Sequence, residues 1–384
     1  MNAQLDQIKQ LAAKGEEGRL QLMAALHSMA YALETPDDTI SRYGAMNLQA
    51  ATVQVGINSG LFRHLGTSES PLSVDELSEK TRAEAQLMTR ILRYLATTGA
   101  VDEVGRGLYS ANHVTKNLTE KVTEAGLSHY FYTVATQYQA LPSFLSKTGY
   151  KDPADELHTV FQDAWKTDLH AFAWFSQAPE NLVYFNDYMA LRRKSDLSWL
   201  TVYPVAEAAA SWDPSQPVYV NVGGGIGHQC AQFKDKFPEI PGRVILQDMP
   251  HSISKALPTP GVENMAHNFF EAQPVHGAKF YHMRGVLHNH PPHKVLQILQ
   301  NLRSAMTHDS VLLLDEMILP EEGVNHEAAS MDLTMLGAFA GAERTEAQWR
   351  DILKDAGLEL VQTYVYNPLF YESVMDVRLP ELGS

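Results

Sequence analysis

Cysteine is nearly absent, Cys230 being the only one in the chain. A single thiol excludes an intramolecular disulfide framework and a cysteine-rich metal site. Positive charge is also short: 30 Lys and Arg stand against 45 Asp and Glu, a formal charge of −15. That balance argues against a main role on nucleic-acid phosphates or anionic membrane surfaces. No apolar run reaches the roughly 18 residues of a membrane span. The strongest, Val311 to Leu319, is interrupted by Asp315 and Glu316. The opening stretch MNAQLDQIKQLAAKGEEGRL lacks the apolar core of a secretion signal. Together these absences predict a reducing, intracellular setting, the cytoplasm, with neither a membrane nor a nucleic acid as partner.

The 384 residues are 45% apolar and 20% charged, the composition of a soluble globular protein with two or three domains. Histidine is the one type in excess, with 16 copies. Five of them, His276, His282, His288, His290 and His293, crowd into one short stretch.

Helical apolar spacing runs through the first thirty residues and again from Asn47 to Leu65. Ser73-Val-Asp-Glu76 reads as a capping box. The next helix carries Leu87, Met88, Ile91, Leu92 and Leu95 on one face and stops at Gly99. Val101–Val104, the turn Gly105-Arg-Gly107 and Leu108-Tyr109 read as a hairpin. Helix, helix, hairpin is a winged-helix pattern. Arg82, Arg90 and Arg93 are offset by Glu84, Asp102 and Glu103, so a packing or dimerisation module is expected rather than a DNA binder. Residues 122–200 are predicted to be helical and are rich in aromatics, among them Tyr130, Phe161, Trp165, Phe172, Trp174 and Tyr188. Most such rings are ordinary core, but their density suits the wall of a pocket for a flat, greasy ligand. After Trp212 strands alternate with helices, which predicts a parallel α/β sheet covered on both faces. The expected domains are 1–121, 122–200 and 201–384.

Asn221-Val-Gly-Gly-Gly-Ile-Gly227 follows a strand and opens a helix. Gly223, Gly225 and Gly227 let backbone approach a ligand closely, because no Cβ intervenes. The dinucleotide fingerprint fails, since position 228 is His and position 230 is Cys. No phosphate-binding Gly-Lys-Ser/Thr is present either. Asp248 ends the next strand, where a carboxylate accepts both hydroxyls of a ribose. The bland reading is a turn cap before Pro250. The pair predicts a nucleoside ligand with little need for phosphate binding, and S-adenosylmethionine fits.

His288, His290 and His293 could be taken for metal ligands, but Pro291 and Pro292 break the local geometry and no ligand set completes a shell. No metal is expected. A histidine at the carboxyl end of a strand instead suits a general base. A phenol has pKa about 10 and a free histidine about 6.5, so full ground-state proton transfer would cost about 5 kcal/mol. The proton is better removed as the methyl arrives. Such a histidine needs carboxylates to hold its ring, and Glu316 and Glu343 are the candidates. Either alone is ordinarily a surface or capping residue.

At this point the residues are familiar. Asn221-Val-Gly-Gly-Gly-Ile-Gly, Gly242-Arg-Val-Ile-Leu-Gln-Asp-Met-Pro250, Val286-Leu-His288, Leu314-Asp-Glu-Met-Ile-Leu-Pro320 and Gly341-Ala-Glu-Arg-Thr-Glu346 resemble the class I plant caffeate-type and fungal secondary-metabolite O-methyltransferases. The front half resembles that family's dimerisation domain. The resemblance implies an α/β, Rossmann-like catalytic domain and a homodimer. It implies His288 as catalytic base, Glu316 and Glu343 beside it, and Gly223 and Asp248 on S-adenosylmethionine. It implies Asn268 and Phe269 against the adenine and Arg284 near the cofactor.

Three residues, at two places, depart from the family pattern. Asn268 stands where Asp is usual, and Asn289-His290 stands where Asp-Trp is usual. Some fungal members of this fold bind S-adenosylmethionine without transferring its methyl and catalyse dehydration and pericyclic cyclisation of polyketide–peptide pyridones. In such a reading His129, Arg192 and Arg193 would meet the substrate, although each is ordinarily a solvated or ion-paired surface residue. The intact His288, Glu316 and Glu343 favour methyl transfer to a hydroxyl of an aromatic or polyketide-derived metabolite.

Overall fold

The computed structural model describes residues 15–192 and 197–381. The chain divides into two compact units, Met1–Thr133 with Glu180–Arg192, and Val134–Pro179 with Arg193–Ser384. The stretch 122–200 is thus shared between them. No described helix is long and apolar enough to cross a membrane.

In the first unit Ser73 caps the helix Val74–Thr81 through a full capping box with Glu76. The following helix, Ala85–Thr97, buries Met88, Leu92 and Leu95. Leu87, expected on that face, is instead 49% exposed; one residue of helix rotates a side chain by about 100°. Gly99, at φ 76°, ends the turn after the helix. Strands β2 (Asp102–Gly105) and β3 (Leu108–Ser110) pair antiparallel. The short β1 (Leu72–Ser73) adds to the other edge of β3. Leu61, Phe62, Leu77, Leu92 and Tyr109 form the centre of this unit's core. After the helix Lys121–His129 the backbone widens into a π-helical turn, Tyr130–Val134.

The second unit is built on a sheet. Strands β4 (Pro217–Val222), β5 (Arg243–Asp248), β6 (Val262–Ala266), β7 (Phe280–Arg284) and β8 (Val311–Leu319) run parallel. A two-residue strand β9 (Arg344–Thr345) pairs with the end of β8. Strands β10 (Glu359–Asn367) and β11 (Glu372–Arg378) close one side antiparallel, in the order β10-β11-β8-β7-β4-β5-β6. The strand succession reverses beside β4, which has β5 on one side and β7 on the other. In open α/β sheets ligands bind at such a switch point, outside the carboxyl ends of the strands. Side chains of β8 alternate: Leu312 and Leu314 enter one core, Val311 and Leu313 the other. The helices Pro292–Ala305 and Glu346–Asp355 cover the first face. Trp199, Tyr203, Cys230 and Phe233 pack on the second. Cys230 is fully buried there, and burial pushes its thiol up to about 12, so it acts as a small apolar side chain.

Strand β6 and one long helix of this unit were not anticipated. Strand β6, Val-Glu-Asn-Met-Ala, is an edge strand with mostly exposed residues and no β-branched run. The helix His326–Phe339 is apolar nearly all round and contains Gly337, so no single stripe marks it.

Candidate active site

The glycine loop leaves β4 at the switch point. Gly223, Gly225 and Gly227 all have positive φ, at 68°, 61° and 95°. The Gly223 and Gly224 amides donate to the Gln247 carbonyl oxygen at 2.9 and 3.1 Å, which ties the loop to β5. Gly224 escaped the sequence reading, yet it is sterically the tightest of the four. A Cβ there would collide with Asn221 Oδ1 and come within 2.6 Å of Leu246. Asn221 is itself held by Nδ2 contacts to His282, whose Nδ1 also meets the Tyr219 hydroxyl at 2.9 Å.

Asp248 ends β5 beside this loop. Its Oδ2 accepts from the Gly225 amide and its Oδ1 from the Met249 amide, both at 2.8 Å. The turn-cap reading and the ligand reading are therefore compatible: each oxygen keeps a lone pair for a hydroxyl. A Cβ on Gly223 would lie 3.1 Å from Val286 and 3.5 Å from the Phe269 ring. Gly223, Val286 and Phe269 are thus close neighbours. Asn268 uses its side-chain oxygen to accept from the Phe270 amide at 3.1 Å, an Asx turn that sets the direction of Phe269. Arg284 is engaged by carboxylates. Its guanidinium pairs with Asp315 at 3.3 Å and Glu372 at 3.8 Å within the sheet.

His288 sits in a single 3-10 turn, Leu287–Asn289, just after β7. Its Nδ1 meets Glu343 Oε1 at 2.7 Å, while the side chain stays 21% exposed. A carboxylate accepts, so Nδ1 carries the proton and Nε2 presents its lone pair. Burial pushes the imidazole pKa down, but the Glu343 carboxylate, its hydrogen bond and Glu316 outweigh that and leave it above its ordinary value. Glu316 plays a different part from Glu343. Its Oε1 accepts from the Val286 and Leu287 amides at 3.1 and 2.8 Å, fixing the backbone that carries His288. Burial pushes its carboxyl up to about 7.

Two residues of the same constellation were not singled out from sequence. Gly341 lies against the His288 carbonyl so closely that any Cβ would collide with it. Arg344 is buried and donates to the carbonyl oxygens of Leu287, Ala342 and His290 at 3.4, 3.0 and 3.2 Å. It clamps the turn from behind. Its place in the chain directly after Glu343 was the available signal. Among the described residues no group of three or more His, Cys, Asp or Glu is placed to hold a metal.

His129 and Arg192 belong to the other unit, and Arg193 lies outside the described residues. His129 is buried among the rings of Tyr130, Phe185 and Tyr188, with Nδ1 unpartnered. Burial, reinforced by Arg192, pushes its pKa down to about 4, so it is neutral at physiological pH. Arg192 lies over the Tyr188 ring at 5.4 Å.

A glycine loop and acid at the switch point, with a carboxylate-held histidine on the next strand end, define a nucleoside-cofactor enzyme on a Rossmann-like sheet. The chain belongs to the family described by the O-methyltransferase domain, which matches residues 160–359. It is 38% identical to O-methyltransferase ucdC of Aspergillus ustus over 94% of each chain. It is 36% identical to demethylsterigmatocystin 6-O-methyltransferase of Aspergillus parasiticus over 94% of this chain and 93% of that one. A solved structure described as a pericyclic reaction enzyme superposes with a TM-score of 0.88 at 35% identity, covering 99% of both chains. The protein is thus an S-adenosylmethionine-dependent methyltransferase.

Proposed function

We propose that the enzyme methylates a hydroxyl of an aromatic or polyketide-derived metabolite in the cytoplasm, with His288 as general base. The observation that carries this reading is the 2.7 Å contact of His288 Nδ1 with Glu343, which leaves Nε2 to accept a proton. Gly223, Gly225, Gly227, Asp248 and Phe269 are the residues that would hold the cofactor, with Asn268 setting the turn. When bound, the cofactor supplies an electrophilic methyl on a sulfonium. His288 Nε2 would take the proton of the acceptor hydroxyl, whose oxygen is the atom to be methylated. Glu343 offsets the imidazolium charge that forms. A raised His288 pKa narrows the gap to a phenol near 10, and general-base help of this kind is worth about 10²–10⁴ in rate. The rings of Phe161, Trp165, Trp174, Phe172 and Phe339 in the second unit suit a flat acceptor.

The first unit serves as a winged-helix dimerisation module in this reading. Its helices Glu16–Ala32, Pro36–Gly44 and Met46–Asn58 expose Met29, Leu33, Ile40, Tyr43 and Leu48, an apolar surface that a second copy would cover.

Incubation with methyl-labelled S-adenosylmethionine and a panel of phenols tests the reading, which expects label in a product heavier by one methylene. The likeness to a pericyclic reaction enzyme favours a second reading, in which the bound cofactor acts only as a fixed positive charge. Tight cofactor binding with no label transfer, and a product that carries no added methyl, would establish that one instead.

A further inference from the structure

His290 stands where the resembled family usually has Trp, and the methyl-transfer chemistry does not use it. The residue is buried at 7% exposure. Its Nδ1 meets Glu156 Oε2 at 3.2 Å. The other side of the imidazole lies edge-on to Phe269 and Phe270, with centroids 5.6 and 5.2 Å away. Phe269 in turn borders Gly223 of the cofactor loop. The backbone leaves the ring little freedom, because Arg344 binds the His290 carbonyl and two prolines follow.

Glu156 comes from a different place. It lies in the irregular stretch before Thr159, which caps the helix Val160–Trp165. Its carbonyl oxygen accepts from Gln162 Nε2 at 3.2 Å, so its backbone moves with that helix. The helix carries Phe161 and Trp165 of the aromatic cluster. A continuous path therefore runs from that wall through Glu156 and His290 to Phe269 and the glycine loop.

We propose that His290 and Glu156 are a positioning pair that fastens the aromatic wall segment to the nucleoside end of the cofactor site, through a hydrogen bond and not through ring packing alone. This rests on the assignment of Phe269 to the cofactor. The carboxylate accepts the Nδ1 proton, which pins the ring plane and with it the edge that meets Phe269. The hold on the cofactor then depends on a residue that never touches it.

Two substitutions separate the roles. His290→Phe keeps a ring and loses the donor, whereas His290→Asn keeps a donor near the Nδ1 position and loses the ring. Titration calorimetry of the full chain with S-adenosylhomocysteine reads the outcome. The pair predicts that His290→Phe and Glu156→Ala each weaken binding about five- to tenfold, that the double variant is no weaker than either, and that His290→Asn, which gives up the edge on Phe269, weakens binding as well. If either His290→Phe or His290→Asn binds like the wild type, or if the losses of His290→Phe and Glu156→Ala multiply, the proposal is overturned. Should Glu156→Ala not fold, Glu156→Leu, which keeps the bulk and removes the charge, carries the same comparison. Failure of the wild type to bind S-adenosylhomocysteine would strike the cofactor site itself, a separate outcome.

Discussion

At the scale of residues, the two glutamates near His288 are chemically unlike, although the sequence presents them as a matched pair. Glu343 reaches the ring and Glu316 reaches the backbone under it. As the proposed base His288 would work only when neutral, so the rate should climb with pH and level off above a midpoint higher than 6.5, in keeping with its raised pKa. Glu343→Gln should move that midpoint down and lower kcat, and a pH–rate profile checks both. His288→Ala should reduce methyl transfer by about 10²–10⁴ while the affinity for S-adenosylhomocysteine is unchanged. Glu316 has a signature in stability. Its folded pKa, about 7, lies above its ordinary 4.5, so between these values the folded chain holds a proton that the unfolded chain has released. Stability therefore falls as pH rises through that window. In Glu316→Gln this component should vanish, so urea midpoints at about pH 5 and about pH 8 should lie closer together than in the wild type. Part of the slope above 6.5 remains, because His288 also binds its proton more tightly when folded.

At the scale of elements, the glycine loop and the His288 turn are each held by contacts that no local rule encodes. Gly224→Ala forces a Cβ onto Asn221 and Leu246, whereas Gly225→Ala meets open space and strains only φ. The first should lower the thermal midpoint markedly and the second by only about 1–2 kcal/mol of stability, measured by denaturant unfolding. The Gly-x-Gly-x-Gly pattern was legible because three positive-φ glycines follow a strand and precede a helix. The requirement at Gly224 was not, because it comes from a side chain on β4 and another on β5. The same holds for Gly341, whose neighbour is the backbone of His288 more than fifty residues earlier. The parallel strands β4, β5, β7 and β8 were readable from their apolar runs. Edge strand β6 was not, since half-exposed strands carry a weaker signal. The helix His326–Phe339 lacked an amphipathic stripe because it is covered on more than one side.

At the scale of the whole molecule, the exposed apolar residues of the first unit carry a prediction of assembly. Sedimentation equilibrium should give twice the 42.8 kDa of one chain. Replacing Ile40 and Leu48 with Lys should shift the mass toward the monomer, since a desolvated charge opposes burial of that surface. A monomeric wild type at micromolar concentration would refute the dimer.

The amino-acid sequence by itself determined the parallel sheet, the glycine loop with Asp248, and His288 as the histidine to watch. Each of those rests on local patterns: strand runs, a glycine turn, a side chain at a strand end. Only the tertiary structure decided that Glu343 and not Glu316 holds the imidazole, that Arg284 is engaged with Asp315 and Glu372, and that His290 is joined to Glu156. Those pairings join residues 31 to 134 positions apart, and which of several carboxylates a buried cation or imidazole meets depends on how the sheet and its covering helices pack, which no local spacing records.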